Sequence, residues 1–274
     1  MNKVICLLLS ATMMICLCGC NSNKNKYKLN SSVEKSEEEQ VNVVYTKYDI
    51  PLPVELFKYI IGEQVPFNVD LLNNTSNSSK YSKEHCQGMA LGLYCADIAY
   101  CSVYSKQQEL LDFYNAAYEI ADKLDISAGY NIKFVERLED NISSSDSLSN
   151  IASESYWSAC NYLDENGKYN ILPFVVYGGW VESLYLTIKS NDSDSAKMMI
   201  INQKKGLLNL ISYLYEVMIE STAFYYNSEI KLLIWKLNGL KTIYERIIDK
   251  DIDPQLYTDL CNKLISMRNE IVTP

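Results

Sequence analysis

Glycine and proline are scarce, with 10 Gly and 6 Pro in 274 residues, about half the usual share. That shortage excludes a turn-rich sandwich or barrel, a collagen-like repeat and a long Pro/Gly linker protein. Histidine is almost absent. The single His85 excludes a multi-histidine metal site within the chain, and no Cys-x-x-Cys pair offers a zinc or redox motif. Arginine is limited to Arg137, Arg246 and Arg268, and the net charge is -9. Nucleic acid is therefore not an expected partner, because phosphate binding needs a basic face. No cofactor and no metal are expected. What the chain has in quantity is apolar residues (48%), 22 Tyr and 9 Cys.

The first residues read as an address. Lys3 gives a short positive start, and Val4 to Leu17 form an apolar stretch of secretory-signal length, too short to span a bilayer. The stretch ends Leu17-Cys18-Gly19-Cys20. This ending resembles a bacterial lipoprotein signal: an aliphatic residue, two small residues, then the Cys that is acylated before cleavage. The resemblance implies a signal peptide over 1–19 and a mature chain anchored by acyl chains on Cys20. An ordinary cleaved signal is the alternative. Residues 20–48 are polar, with a basic start (Lys24, Lys26, Lys28) and an acidic middle (Glu34, Glu37, Glu38, Glu39). They read as a flexible tether whose r.m.s. reach is about 30 Å.

Five cysteines remain, at 86, 95, 101, 160 and 261. An odd number at irregular spacing is no disulfide framework. Cys95 and Cys101, on one helix and roughly 9 Å apart, cannot bridge. They read as small residues buried on helix faces.

From residue 49 to 274 the apolar period is helical, and the expected fold is all-α, a single array or bundle of about eight to ten helices. The spacing predicts short helices near 53–61 and 131–141, and longer ones near 82–103, 106–125, 145–165, 170–189, 195–219, 223–248 and 254–271. Ser105 with Gln108 reads as a capping box. Asp253-Pro254 reads as an N-cap followed by Pro at the first helical position, and Asn166-Gly167 as a stop.

Two of these helices are apolar on every face. Cys86 to Tyr104 carries one charge, Asp97, and Ile171 to Ile188 carries one, Glu182. Such helices are normally buried all round, so both are placed at the centre. A transmembrane reading of 171–188 is the alternative, weakened by Pro173, Gly178-Gly179 and Glu182. Gly88, Gly92 and Ala96 form a small-residue ridge for close helix approach. Both helices show Gly, an aromatic, a carboxylate and a Tyr one turn later, about 85 residues apart, which suggests a duplicated helical hairpin. Chance alone supplies about as many acid-x-x-Tyr pairs, so what distinguishes these two is that both fall in the two most apolar helices.

A carboxylate inside an apolar bundle must be paired, hydrogen-bonded or protonated. One reading makes Asp97 and Glu182 structural, with Arg137 as the candidate partner. A second places Asp97, Tyr100, Trp180, Glu182 and Tyr185 on a polar-aromatic pocket suited to a sugar or other polar ligand. A third makes Asp97 and Glu182 the carboxyl pair of a glycan-directed hydrolase, which requires both in one open cleft. His85 reads as a partly exposed residue at a helix start, with no motif to make it catalytic, and Asn73 to Ser79 as a polar loop.

The runs Leu91-Gly92-Leu93-Tyr94-Cys95-Ala96-Asp97-Ile98-Ala99-Tyr100 and Gly178-Gly179-Trp180-Val181-Glu182-Ser183-Leu184-Tyr185-Leu186 resemble a group of all-helical lipoproteins of Bacteroidota-type bacteria without a characterised activity. The resemblance implies an all-helical fold and an envelope location, and assigns no catalytic residue. The expected function is a lipid-anchored envelope protein, with the outer membrane favoured, that binds rather than catalyses. Its candidate ligands are a glycan, a peptide or another envelope protein. The carboxylate-dependent hydrolase and a purely structural assembly protein are the alternatives.

Overall fold

Apolar stripes at helical spacing with few breakers between them give ten α-helices among the described residues of the computed structural model, and no strand. Those residues are 50–129, 133–140, 144–168, 170–220, 224–247 and 253–273. The signal segment, Cys20 and the tether lie outside them. The helices are α1 (Pro53–Gly62), α2 (Glu84–Val103), α3 (Gln107–Lys123), α4 (Lys133–Asp140), α5 (Ser145–Glu165), α6 (Leu172–Ser190), α7 (Asp194–Asn202), α8 (Lys204–Glu220), α9 (Phe224–Arg246) and α10 (Pro254–Val272). Short 3-10 turns cover Val69–Leu71, Thr75–Lys80 and Ser127–Gly129.

Side-chain caps start several of these helices by accepting from otherwise unpartnered backbone N–H groups. Ser144 Oγ accepts from Ser147 N at 3.2 Å, Ser193 Oγ from Ala196 N at 3.1 Å and Asp253 Oδ1 from Gln255 N at 2.9 Å. Asp253-Pro254 therefore works as expected. Ser105 does not. Its φ is 53°, its N–H bonds Ser102 O at 3.0 Å, and Lys106 N bonds Cys101 O at 2.9 Å. This is the Schellman end of α2. Ser105 closes one helix instead of opening the next, and Gln108 donates to Asp112 at 2.9 Å. The run 195–219 is likewise two helices. The polar stretch Asn202-Gln203-Lys204-Lys205 interrupts its stripe, and Gln203 turns the chain between α7 and α8.

The two all-apolar helices are the centre. α2 and α6 are buried along nearly their whole lengths and make the most extensive helix contact in the fold. α1, α3 and α5 pack on α2, α1 and α10 on α6, and α9 bridges α8 and α10. Burial of α6 inside protein accounts for its apolar character, and no helix among the described residues is long and apolar enough to cross a membrane. The described cysteines are free thiols, and Cys95, Cys101, Cys160 and Cys261 are buried.

The helices α2 and α6 run parallel at near van der Waals backbone distance. A Cβ on Gly92 would stand 1.9 Å from Val175 O, and one on Gly178 would stand 2.0 Å from Met89 O. Gly88 faces Phe174 and Ile171. Residues therefore meet at a roughly constant offset near 85, which brings Asp97 level with Glu182. A duplicated pair would meet this way. The likeness stops there, since α3 lies along α2 whereas α7 makes only a short contact with α6 and α8 packs mainly with α9.

Candidate functional site

Three helices bring charge into this centre, and one loop brings backbone partners for it. Asp97 from α2 and Glu182 from α6 are fully buried, and Arg268 from α10 is 8% exposed. Arg268 Nε donates to Glu182 Oε2 at 3.0 Å and its Nη2 to Glu182 Oε1 at 3.3 Å, a two-point contact. Nη2 also donates to Leu71 O at 3.3 Å. The guanidinium lies 4.3 Å over the Tyr185 ring, which holds its plane for the carboxylate. From the loop, Asn73 N–H donates to Asp97 Oδ2 at 3.3 Å. Asn73 is itself held by Asn77 at 2.7 Å and by the Tyr81 hydroxyl at 3.1 Å.

Asp97 Oδ1 meets no N–H donor and no hydroxyl. Its neighbour in the cluster is the Glu182 carboxyl, close enough to shift the Asp97 pKa. Two ionised carboxylates cannot share one dry site with a single guanidinium, since a net buried charge would remain. Burial first, and Glu182 second, push the Asp97 carboxyl well above the usual range. Burial also raises Glu182, while Arg268 pulls it back down. The consistent state has one proton on the pair, favouring Asp97, whose pKa is raised more strongly, and the cluster is neutral. The proton belongs to the pair.

Of the five candidate residues, Asp97, Glu182 and Tyr185 meet around Arg268. Tyr100 lies one turn further along α2, buried among Phe57, Phe67 and Tyr104, and its hydroxyl accepts from Asn68 N at 3.4 Å. Trp180 lies by the α7–α8 turn. Its Nε1 and Gln203 Oε1 have no hydrogen-bond partner among the described residues, and both face Gly206. Asp97, Glu182, Tyr100 and Trp180 are sealed in packing. A shallow depression lined by Leu52, Val54, Cys95, Ala99, Ala152 and Tyr156 includes none of the five.

Two expectations are corrected here. Arg137 is not the partner of the carboxyls. It sits on α4 and pairs with Glu154 of α5, both half-exposed. The helix α10 reaches the centre instead, because Arg268 stands on its apolar stripe between Leu264 and Ile271. That placement is the signal by which the sequence announces it. His85 is buried rather than partly exposed, with Nε2 3.7 Å from Glu229 Oε2 and the ring beside Phe174, because α9 covers the start of α2. Burial lowers its pKa against the pull of Glu229. Asn73, read as loop, is 2% exposed and supplies the backbone donor to Asp97.

Comparison of the chain with models of known protein families, with curated proteins and with solved structures gives no match in any of the three.

Proposed function

We propose that this chain is a lipid-anchored protein of the bacterial cell envelope, held through acylated Cys20, with the outer membrane favoured, and that it works by binding rather than catalysis. The observation that carries the binding reading is the sealed, neutral Asp97–Glu182–Arg268 cluster. A hydrolytic pair needs one carboxyl to protonate a leaving group and another to meet water or the sugar carbon in an open cleft. Here both are out of reach of solvent, with Glu182 fixed by a guanidinium and Asp97 by the Asn73 N–H. They hold α2, α6, α10 and the 66–82 loop in one arrangement, which leaves recognition of a glycan, a peptide or an envelope protein to the outer surface.

The anchor is supported by the Leu17-Cys18-Gly19-Cys20 ending and by the polar stretch that follows. The test is metabolic labelling of the full chain with a clickable fatty acid, followed by membrane fractionation and a thermal-shift screen against glycans and peptides. Label should enter the wild type and be lost in Cys20→Ala. Equal labelling of both, or a hydrolytic product in the glycan arm abolished by Glu182→Gln, would overturn the reading.

A further inference from the structure

Five of the seven exposed large apolar residues of the described chain, including the two most exposed, gather on one hairpin. α8 and α9 are neighbours joined by three residues, so they run antiparallel. The outward side of α8 shows Leu208, Tyr215 and Ile219, the last 79% exposed. These are positions i, i+7 and i+11, a single stripe about 17 Å long. The outward side of α9 shows Leu232 and Trp235, the latter 69% exposed. Leu208 and Trp235 lie at about the same level, Leu208 twelve residues before the end of α8 and Trp235 eleven after the start of α9.

The charge around them runs against the rest of the protein. Residues 204–247 hold five Lys and one Arg against four Glu, a net +2 in a chain of net -9. Along the exposed stripe of α9 the sequence is Ser228, Lys231, Leu232, Trp235, Gly239, Thr242 and Arg246, with no carboxylate. Trp235 is flanked by Lys231 one turn before it and by Lys263 of α10, whose Nζ stands 5.9 Å from its ring. Glu245, exposed beside the stripe, is ion-paired to Lys241 at 3.6 Å.

We infer that the outward face of α8 and α9, centred on Trp235, rests on an anionic lipid surface. The inference depends on the membrane tether proposed above, which keeps the domain at high local concentration near the bilayer. Exposed Trp, Leu and Ile framed by Lys and Arg is the pattern of a helix lying at a lipid interface, where the indole sits among headgroups and the cations meet anionic lipid. A second copy seated face to face would instead bring Lys231 and Arg246 of two molecules together. The contact orients the module and leaves the opposite surface for its ligand.

The test uses the full-length protein processed and purified from membranes, reconstituted into phosphatidylcholine vesicles with or without phosphatidylglycerol, with bromine on the acyl chains near the headgroup. Trp fluorescence should be quenched in the anionic vesicles, less in neutral ones and less at high salt. The quenched component should disappear in Trp235→Phe and fall severalfold in Lys231→Glu/Arg246→Glu. Unchanged emission with bromolipid, or quenching retained in full by Trp235→Phe, overturns the inference. So does a photo-crosslinker at position 232 that captures protein and no lipid in native membranes. Failure of the tether is read separately, as absence of fatty-acid label, and the unlabelled chain can still be scored for quenching on anionic vesicles.

Discussion

A methyl group is enough to probe the contact between α2 and α6. Adding a Cβ at Gly92 or Gly178 puts carbon within 2.0 Å of a carbonyl oxygen of the opposite helix, and backbone cannot step aside as a side chain can. Gly92→Ala and Gly178→Ala should each cost about 3 kcal/mol or more in chemical denaturation, at the upper end of overpacking losses. Gly179→Ala is the control, because its Cβ would meet nothing nearer than 3.4 Å. It should be neutral or slightly stabilising, since Ala favours helix over Gly. Equal losses at Gly92 and Gly179 would show that the spacing of the two backbones is misjudged. Arg268 is the second residue on which much depends. Arg268→Met strands the Glu182 carboxylate in a dry core and should cost about 3–5 kcal/mol, whereas replacing the ion pair jointly with Met and Leu should recover most of that loss. A double mutant no better than the single would argue that Arg268 acts by packing on Tyr185.

Helix ends tell a similar story one level up. α2, α3 and α5 all finish with a residue of positive φ: Ser105 (53°), Asp125 (54°) and Gly167 (72°). In each the following N–H reaches back to a carbonyl inside the helix, Lys106 to Cys101, Ile126 to Ala121 and Lys168 to Leu163. Only one of the three uses Gly, the residue that takes this conformation without strain. Ser105→Gly should therefore raise stability by up to about 1 kcal/mol, and Gly167→Ala should lower it by about 1 kcal/mol. A Cβ at Gly167 would meet nothing within 4 Å, so that loss isolates backbone conformation. Thermal melts of the two variants moving in the same direction would refute the argument. These ends also show why some boundaries were legible and others were not. Asn166-Gly167 and Asp253-Pro254 are local signals with one meaning. A serine before an apolar stripe has two, N-cap or left-handed end, and tertiary packing chose the second at Ser105. The break at Gln203 was hidden because the apolar stripe resumes at Leu207 as though the helix were continuous.

For the molecule as a whole, the two all-apolar helices and their lone carboxyls were legible, because burial on every face leaves a compositional mark. The identity of the partner was not. Arg268 is 86 residues from Glu182, and only its position on the apolar stripe of α10 distinguishes it from Arg137. The consequence of that assembly is a proton held in the folded protein and absent from the unfolded one. An unfolded Asp gives up its proton near pH 3.9, while burial and Glu182 keep the folded Asp97 protonated well above that. The native state thus binds more protons than the unfolded state over this range, and stability falls as pH rises from about 4 through the folded pKa, by at most about 1.4 kcal/mol per pH unit for one proton. Asp97→Asn removes the titration. Its amide is uncharged, like the protonated carboxyl, and the cluster stays neutral. The stability of Asp97→Asn relative to wild type should therefore climb with pH above 4 and level off once the wild-type pair has lost its proton. Urea melts of both proteins at matched pH give the comparison, because titrations common to both cancel in the difference. A pH-independent difference would mean that Asp97 is not protonated in the fold, and a variant that weakens as pH rises would mean that the pair is stabilised as two charges around Arg268.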